Sequence, residues 1–149
     1  MIDELRLLHF KCFRDQTLRL APLTLLTGVN GMGKSSALQA LLALRQSHGQ
    51  GLLARGLLAL NGEYVTLGTA KDALFSDAQD DVIGFDVSVR TFPKMSYRFV
   101  YDPTADVMRA SERPSDDSQL WEAPFQYLCA ERIGPRPFFA TSDHRVRHD

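Results

Sequence analysis

The fold that we predict for this chain rests on the segment Gly28-Val29-Asn30-Gly31-Met32-Gly33-Lys34-Ser35-Ser36. It fits the pattern G-x-x-x-x-G-K-[ST], in which a glycine-rich loop surrounds phosphate groups. The three glycines can take positive φ, and they leave room for backbone N–H groups to close around phosphate oxygens. Lys34 can place its ammonium against the outer phosphates, and Ser35 offers a hydroxyl to Mg²⁺. The stretch therefore predicts a site for a nucleoside triphosphate with Mg²⁺.

The segments on either side of this loop support that interpretation. The apolar residues from Leu23 to Thr27 are rich in β-formers and predict a short buried strand. The residues from Lys34 to about Ser47 predict a helix, because apolar side chains recur there at helical spacing without Gly or Pro. The helix N-terminus would direct its free N–H groups at the phosphates. The alternative is a glycine-rich turn with an incidental lysine.

Composition places the chain among ordinary cytoplasmic globular proteins. Its 149 residues are enough for one domain, and hydrophobic residues make up 44% of them. The net charge of −1 gives no global electrostatic footprint for nucleic acid. Cys12 and Cys129 are too few for a disulfide framework, and the acidic start is unlike a targeting peptide. No apolar run approaches the ~18 residues that would cross a membrane, so we expect no membrane association.

The rest of the chain predicts a series of short elements. Two strands precede the loop, over Leu5–Phe10 and Gln16–Leu20, with a polar turn between them. After the long helix, the predictions are a short helix interrupted near Gly56 (Leu52–Leu60), a strand (Glu63–Leu67), a polar loop or short helix (Thr69–Asp81), an antiparallel meander (Asp81–Arg90, Met95–Tyr101 and Asp106–Ala110), a flexible loop (Ser111–Gln119) and a buried strand (Phe125–Ala130).

Two runs near the N-terminus resemble a known family. The residues LRLLHFKCFRD (5–15) and LAPLTLLTGVNGMGKSS (20–36) are similar to the N-terminus of the SMC, RecF and OLD-nuclease group of ABC-type P-loop ATPases. The segments LNGEYVTLG (60–68) and YLCAERIGPR (127–136) resemble a bacterial subgroup often found in genome-defence and prophage settings. The resemblance spans nearly the whole chain, although only the first forty or so residues are strongly diagnostic. It implies an α/β P-loop fold, in which an antiparallel β-meander flanks a partial parallel sheet.

The resemblance also implies how the chain is used. Residues 28–36 would wrap the phosphates of ATP and Mg²⁺, and the turn that holds Lys11 and Phe13 would lie near the nucleotide base or ribose. The alternative for these two residues is a hairpin turn with a solvated lysine and a core phenylalanine. A homodimer, or a partner subunit that supplies a signature loop, would complete the site. Nucleotide-driven association would then control a nuclease or a DNA-bound machine.

Two elements of the ATPase group are missing from the sequence. Hydrolysis in that group needs a hydrophobic strand that ends in Asp-Glu, and a Ser-Gly-rich signature loop. The segments Val82–Asp86 and Arg98–Asp102 match only half of the first pattern. We therefore expect residues 1–149 to form a single partial ATPase domain, the N-terminal lobe, with the catalytic C-terminal half absent. The competing functions are a small-molecule phosphotransferase, and a non-catalytic fragment or interaction module.

Three smaller groups of residues have both a functional and a structural interpretation. His144 and His148 stand at metal-ligand spacing if the tail is helical, but a disordered tail with incidental histidines is the simpler explanation. The carboxylates between residues 72 and 81 suggest either a metal site or a solvated face. Glu131-Arg132 and Arg136 could act near the phosphates or form a surface ion pair.

Overall fold

A computed structural model describes residues 1–90, 92–112 and 118–128 of the protein. In this part of the chain, one six-stranded sheet is accompanied by three helices and a single 3₁₀ turn (Leu53–Arg55). The helices are α1 (Lys34–Gly49), α2 (Ala70–Ala73) and α3 (Ser118–Glu122). The strands are β1 (Ile2–Phe10), β2 (Phe13–Arg19), β3 (Leu57–Ala59), β4 (Val82–Val89), β5 (Phe92–Val100) and β6 (Val107–Ala110). None of the described helices is long and apolar enough to cross a lipid bilayer.

The sheet has the order β2-β1-β4-β5-β6-β3, and every pairing between these strands is antiparallel. The predicted meander is therefore confirmed as β4, β5 and β6, and α1 gives the fold its α/β character. The predicted strands ahead of the loop are confirmed as β1 and β2, and the predicted long helix is confirmed as α1.

The predicted partial parallel sheet is not formed by the described residues. The segment Leu23–Thr27, which should have supplied its central strand, contains no strand. Leu23 is 89% exposed and Leu25 is 82% exposed. A β-strand is stabilised by hydrogen bonds to a neighbouring strand. No strand in the described part of the chain pairs with this segment, so its apolar sequence alone does not produce one.

The core lies on one face of the sheet, because alternate residues of three adjacent strands point to the same side. On β4 these are Ile83, Phe85 and Val87, and all three are fully buried. The Phe85 ring meets the Phe10 ring edge-on, with centroids 5.2 Å apart. Helix α1 contacts β1 and β3 and buries Ala40, Leu44 and other apolar side chains in this core.

Four further predictions are wrong in part. Between residues 52 and 60 only the 3₁₀ turn is helical, and the chain then reverses at Gly56 (φ +70°) and enters β3. The predicted strand at Glu63–Leu67 is replaced by one isolated bridge between Asn61 and Thr66. The predicted buried strand at 125–130 is irregular and exposed over 124–128, and residues 129–130 lie outside the described residues. The predicted loop at 111–119 gives way to α3 from residue 118.

Helix α1 closes the free edge of β3 with two buried polar side chains. Ser47 Oγ accepts a hydrogen bond from the Ala59 N–H (2.8 Å), and Gln46 Nε2 donates to the Ala59 carbonyl (2.9 Å). Gln46 Oε1 also accepts from the Val65 N–H (3.2 Å). An open strand edge exposes unpaired backbone groups. Here the side chains of α1 satisfy those groups and fix the helix against the sheet.

On the opposite face, Asp86 of β4 is buried beneath three cationic side chains and is only 3% exposed. Its carboxylate lies 2.7 Å from Arg98 Nη1, 3.1 Å from Lys94 Nζ and 3.5 Å from Arg6 Nη1. Oδ1 accepts no well-aligned hydrogen bond, although Arg98 Nη1 lies 2.7 Å from it. Burial on its own would raise the pKa of Asp86, but the contacts with Arg98, Lys94 and Ser96 lower the pKa to about 2.

Replacing Ser47 by Ala should destabilise the fold by ~1–3 kcal/mol, because the buried Ala59 N–H loses its acceptor. Urea unfolding followed by circular dichroism measures this change. Ser76→Ala is the matched control, since Ser76 is exposed, and it should change the free energy of unfolding by less than ~0.5 kcal/mol. Equal effects of the two substitutions would contradict the role given to Ser47.

Replacing Asp86 by Asn should lower the free energy of unfolding at pH 7 by ~1–3 kcal/mol, because it leaves clustered cations without their anion. The folded pKa of Asp86 lies below its ordinary value of 3.8. Its stabilisation is therefore complete above about pH 4 and is lost as the pH falls towards 2. Between pH 5 and pH 2, the free energy of unfolding should fall more steeply for the wild-type chain than for Asp86→Asn. Urea unfolding at each pH measures it.

Asp15→Asn is the control for this substitution, because Asp15 forms a half-exposed pair with Arg6 at 2.6 Å. A half-exposed ion pair contributes only ~0–1 kcal/mol. Equal destabilisation of the chain at pH 7 by Asp15→Asn and Asp86→Asn would contradict the stabilising role given to Asp86.

Candidate functional site

The predicted phosphate loop, residues 28–36, runs through bends and a turn into the N-terminus of α1. Gly28, Gly31 and Gly33 all have positive φ (+138°, +86° and +88°), as the motif requires. Helix α1 is 16 residues long, and no side chain caps its N-terminus. Its first turn also contains no acidic residue. The free N–H groups and the positive end of the helix dipole are therefore available to an anion.

Lys34 folds back over the loop that precedes it. Its Nζ donates hydrogen bonds to the carbonyl oxygens of Gly28 and Val29, both at 2.8 Å. An ammonium group held in this way lies at the loop, where phosphate oxygens would offer stronger, charge-assisted acceptors. Ser35 is exposed and Ser36 is half-buried, while Val29 and Met32 extend into solvent. The nucleotide-binding roles predicted for these residues stay predictions.

The turn between β1 and β2 lies directly against the loop. A Cβ atom placed on Gly33 would stand 2.5 Å from Cys12 Sγ and 2.6 Å from Phe13 Cζ. Gly33 therefore meets two requirements at once, a left-handed backbone and a close approach to the turn. Lys11 and Phe13, predicted near the nucleotide, are half-buried residues of this same turn. The structure thus brings together the two stretches that the sequence predicted as one site.

A largely apolar cavity of about 260 Å³ lies at the base of the loop. The β-hairpin contributes Phe13 and Leu18, and the irregular segment before the loop contributes Leu25 and Leu26. The remaining lining residues come from the loop itself and from the start of α1: Thr27, Met32, Gly33, Lys34 and Ala37. The cavity joins an apolar wall to a cationic end, which is an arrangement that suits an apolar ring attached to an anionic group.

Several predicted candidates do not join this site. Among the residues that the structure describes, no group of three or more His, Cys, Asp or Glu side chains could hold a metal ion. The carboxylates at residues 72, 77, 80 and 81 are exposed, and Asp72 caps α2 by accepting hydrogen bonds from the Thr69 N–H and hydroxyl. Those hydrogen bonds lower the pKa of Asp72. The candidates at residues 131–136 and 143–149 lie outside the described residues.

Sequence reasoning missed two parts of the site. Cys12 was assigned only to a polar turn, yet its sulfur packs against Gly33. Leu18 was assigned only to a strand, yet it lines the cavity. In the structure, Phe10 pairs with Phe13, so the turn consists of Lys11 and Cys12 alone. No sequence signal indicated that this turn would dock on Gly33.

Replacing Gly33 by Ala should destabilise the chain more than replacing Gly31 by Ala. Both residues have positive φ, which costs an alanine ~1–2 kcal/mol. A Cβ on Gly31 would meet nothing within 4 Å, whereas a Cβ on Gly33 would overlap with Cys12 and Phe13. Overpacking adds ~1–3 kcal/mol. Urea unfolding of the two variants measures the difference, and equal losses of stability would contradict the close contact.

Comparison with known proteins gives one match. A family model described as "AAA domain" matches residues 4–44, which include most of β1, all of β2, the loop and the first two-thirds of α1. No curated protein and no solved structure matches the chain. The match supports an AAA-type P-loop ATPase-like region at residues 4–44, and with it a nucleotide-binding, ATPase-like function.

Proposed function

We propose that residues 28–36 bind ATP together with Mg²⁺. The observation that carries this proposal is the uncapped N-terminus of α1, preceded by three glycines of positive φ and covered by the Lys34 ammonium. Backbone N–H groups of the loop and of the first helical turn would take the phosphate oxygens. Lys34 would exchange its two carbonyl partners for the outer phosphates, and the exposed Ser35 hydroxyl would bind Mg²⁺.

The β1–β2 turn is the second part of the proposed nucleotide site. Phe13 lines the apolar cavity that also contains Lys34, so it can contact the base or ribose of a nucleotide whose phosphates lie on the loop. Lys11 is half-buried in the same turn. We assign both residues to the nucleotide, in agreement with what the family resemblance implies.

At the level of the whole machine, we propose that the chain is the N-terminal part of an ABC-type ATPase of the SMC, RecF and OLD-nuclease group. Nucleotide-driven association, as a homodimer or with a partner subunit that supplies the signature loop, would control a DNA-processing or defence machine in the cytoplasm. The sequence resemblance and the AAA match at residues 4–44 support this proposal. The exposed Leu23 and Leu25, next to the loop, provide an apolar surface for such a partner.

A second candidate function is a non-catalytic interaction module that binds nucleotide weakly or not at all. One observation favours it: the segment before the loop is exposed and forms no strand, so the loop lacks the rigid base that a paired strand would give it. Titration of the chain with nucleotide separates the two candidates. Tight Mg-ATP binding favours the ATPase lobe, and no binding at millimolar ATP favours the module.

Lys34→Ala should weaken Mg-ATP binding by at least about a hundredfold, because it removes charge-assisted hydrogen bonds to the phosphates. Isothermal titration calorimetry on the full chain measures the dissociation constant. Lys71→Ala is the matched control, since Lys71 is an exposed lysine of α2, and it should bind ATP as the wild type does. Unchanged affinity in Lys34→Ala would overturn the proposed phosphate site.

A further inference from the structure

The end of β1 and the turn that follows it contain the only non-glycine residues with positive φ in the described part of the chain. His9 has a φ of +50° and Lys11 a φ of +52°, and they flank the fully buried Phe10. A residue with a side chain adopts this left-handed conformation only at a cost. Such conformations persist where the surrounding structure imposes them, and they are found frequently at functional sites.

The segment 73–75 imposes this conformation on the turn. The Lys11 N–H donates to the Ala73 carbonyl (2.7 Å), and the Phe75 N–H donates to the His9 carbonyl (3.0 Å). Between these two hydrogen bonds, Phe10 and Leu74 form an isolated antiparallel bridge. The end of β1 and the turn are therefore held to residues 73–75 by two hydrogen bonds, while the Phe10 ring packs in the core against Phe85.

Cys12 and Phe13, which follow Lys11 in the hairpin, face Gly33. Their sulfur and ring occupy the space beside Gly33 where a side chain would otherwise project. Gly33 immediately precedes the first residue of α1, and its carbonyl accepts the hydrogen bond of the Ala37 N–H (2.9 Å). A shift of the turn would therefore move Gly33. Because Gly33 directly precedes α1, the shift would also displace the phosphate loop and the first free amides of the helix.

We propose that Cys12 is a positioning residue for the phosphate loop. Its sulfur, held in place by the strained turn, limits the movement of Gly33 and so keeps the N–H groups of the loop directed at a bound phosphate. Cys12 itself contacts no nucleotide in this proposal. The inference rests on the proposed ATP site, and it adds a residue that neither the motif nor the family match assigns a role.

The test compares Mg-ATP affinity with fold stability in the full chain. Cys12→Ala removes the sulfur, and it should weaken Mg-ATP binding about five- to tenfold, within the range usual for coupled sites. The free energy of unfolding without nucleotide should stay close to that of the wild type, because Cys12 is exposed. Cys12→Ser restores a polar atom in the place of the sulfur and should recover affinity to within about twofold.

Thr17→Ala is the control for a side-chain truncation elsewhere on the hairpin, since Thr17 is an exposed residue of β2. This variant should bind Mg-ATP with the affinity of the wild type. A purely structural role for Cys12 would lower the free energy of unfolding and leave the dissociation constant unchanged, which would overturn the proposal. Wild-type affinity in Cys12→Ala, with Lys34→Ala still defective, would overturn the positioning role alone. No binding by the wild-type chain would overturn the ATP site and this inference together.

Discussion

The close contact between Gly33 and the β1–β2 turn is the constraint on which the candidate site depends. It joins the N-terminus of α1 to the sheet at a point where no side chain fits, because Cys12 and Phe13 already fill the space. At its other end, α1 is fixed by Gln46 and Ser47 to the edge of β3. With both ends attached to the sheet, the helix holds its free N–H groups at one place and in one direction, which is what a preorganised anion site requires.

The two edge strands of the sheet, β3 and β2, are each protected from pairing with a further strand. The edge at β3 is capped by side chains of α1, and the edge at β2 carries the charged residues Arg14, Asp15 and Arg19, which discourage pairing with another strand. Leu23–Thr27, in contrast, pairs with no strand among the described residues and is largely exposed.

The sequence predicted the elements whose signal is local and missed those that depend on distant partners. The alternation in β1, β4 and β5 and the helical spacing in α1 are properties of each segment alone, so their type was predictable. Leu23–Thr27 has the composition of a strand, but a strand needs a neighbour. Leu57–Ala59 lies in a leucine-rich run that suited a helix, and it is a strand because it pairs with β6, while α1 caps its other edge. The motif located residues 28–36, whereas the contact of Cys12 with Gly33 joins residues 21 positions apart and left no trace in the spacing.

The central claim is that phosphate groups bind the amides of residues 28–36 at the start of α1. Titration of the ¹⁵N-labelled full chain with Mg-ATP, followed by amide chemical shifts, tests it most directly. We expect saturable changes in amide chemical shift that are largest at Gly31, Gly33 and Lys34, with smaller changes at Cys12 and Phe13. Saturable shifts confined to other parts of the chain, with these amides unmoved, would contradict it.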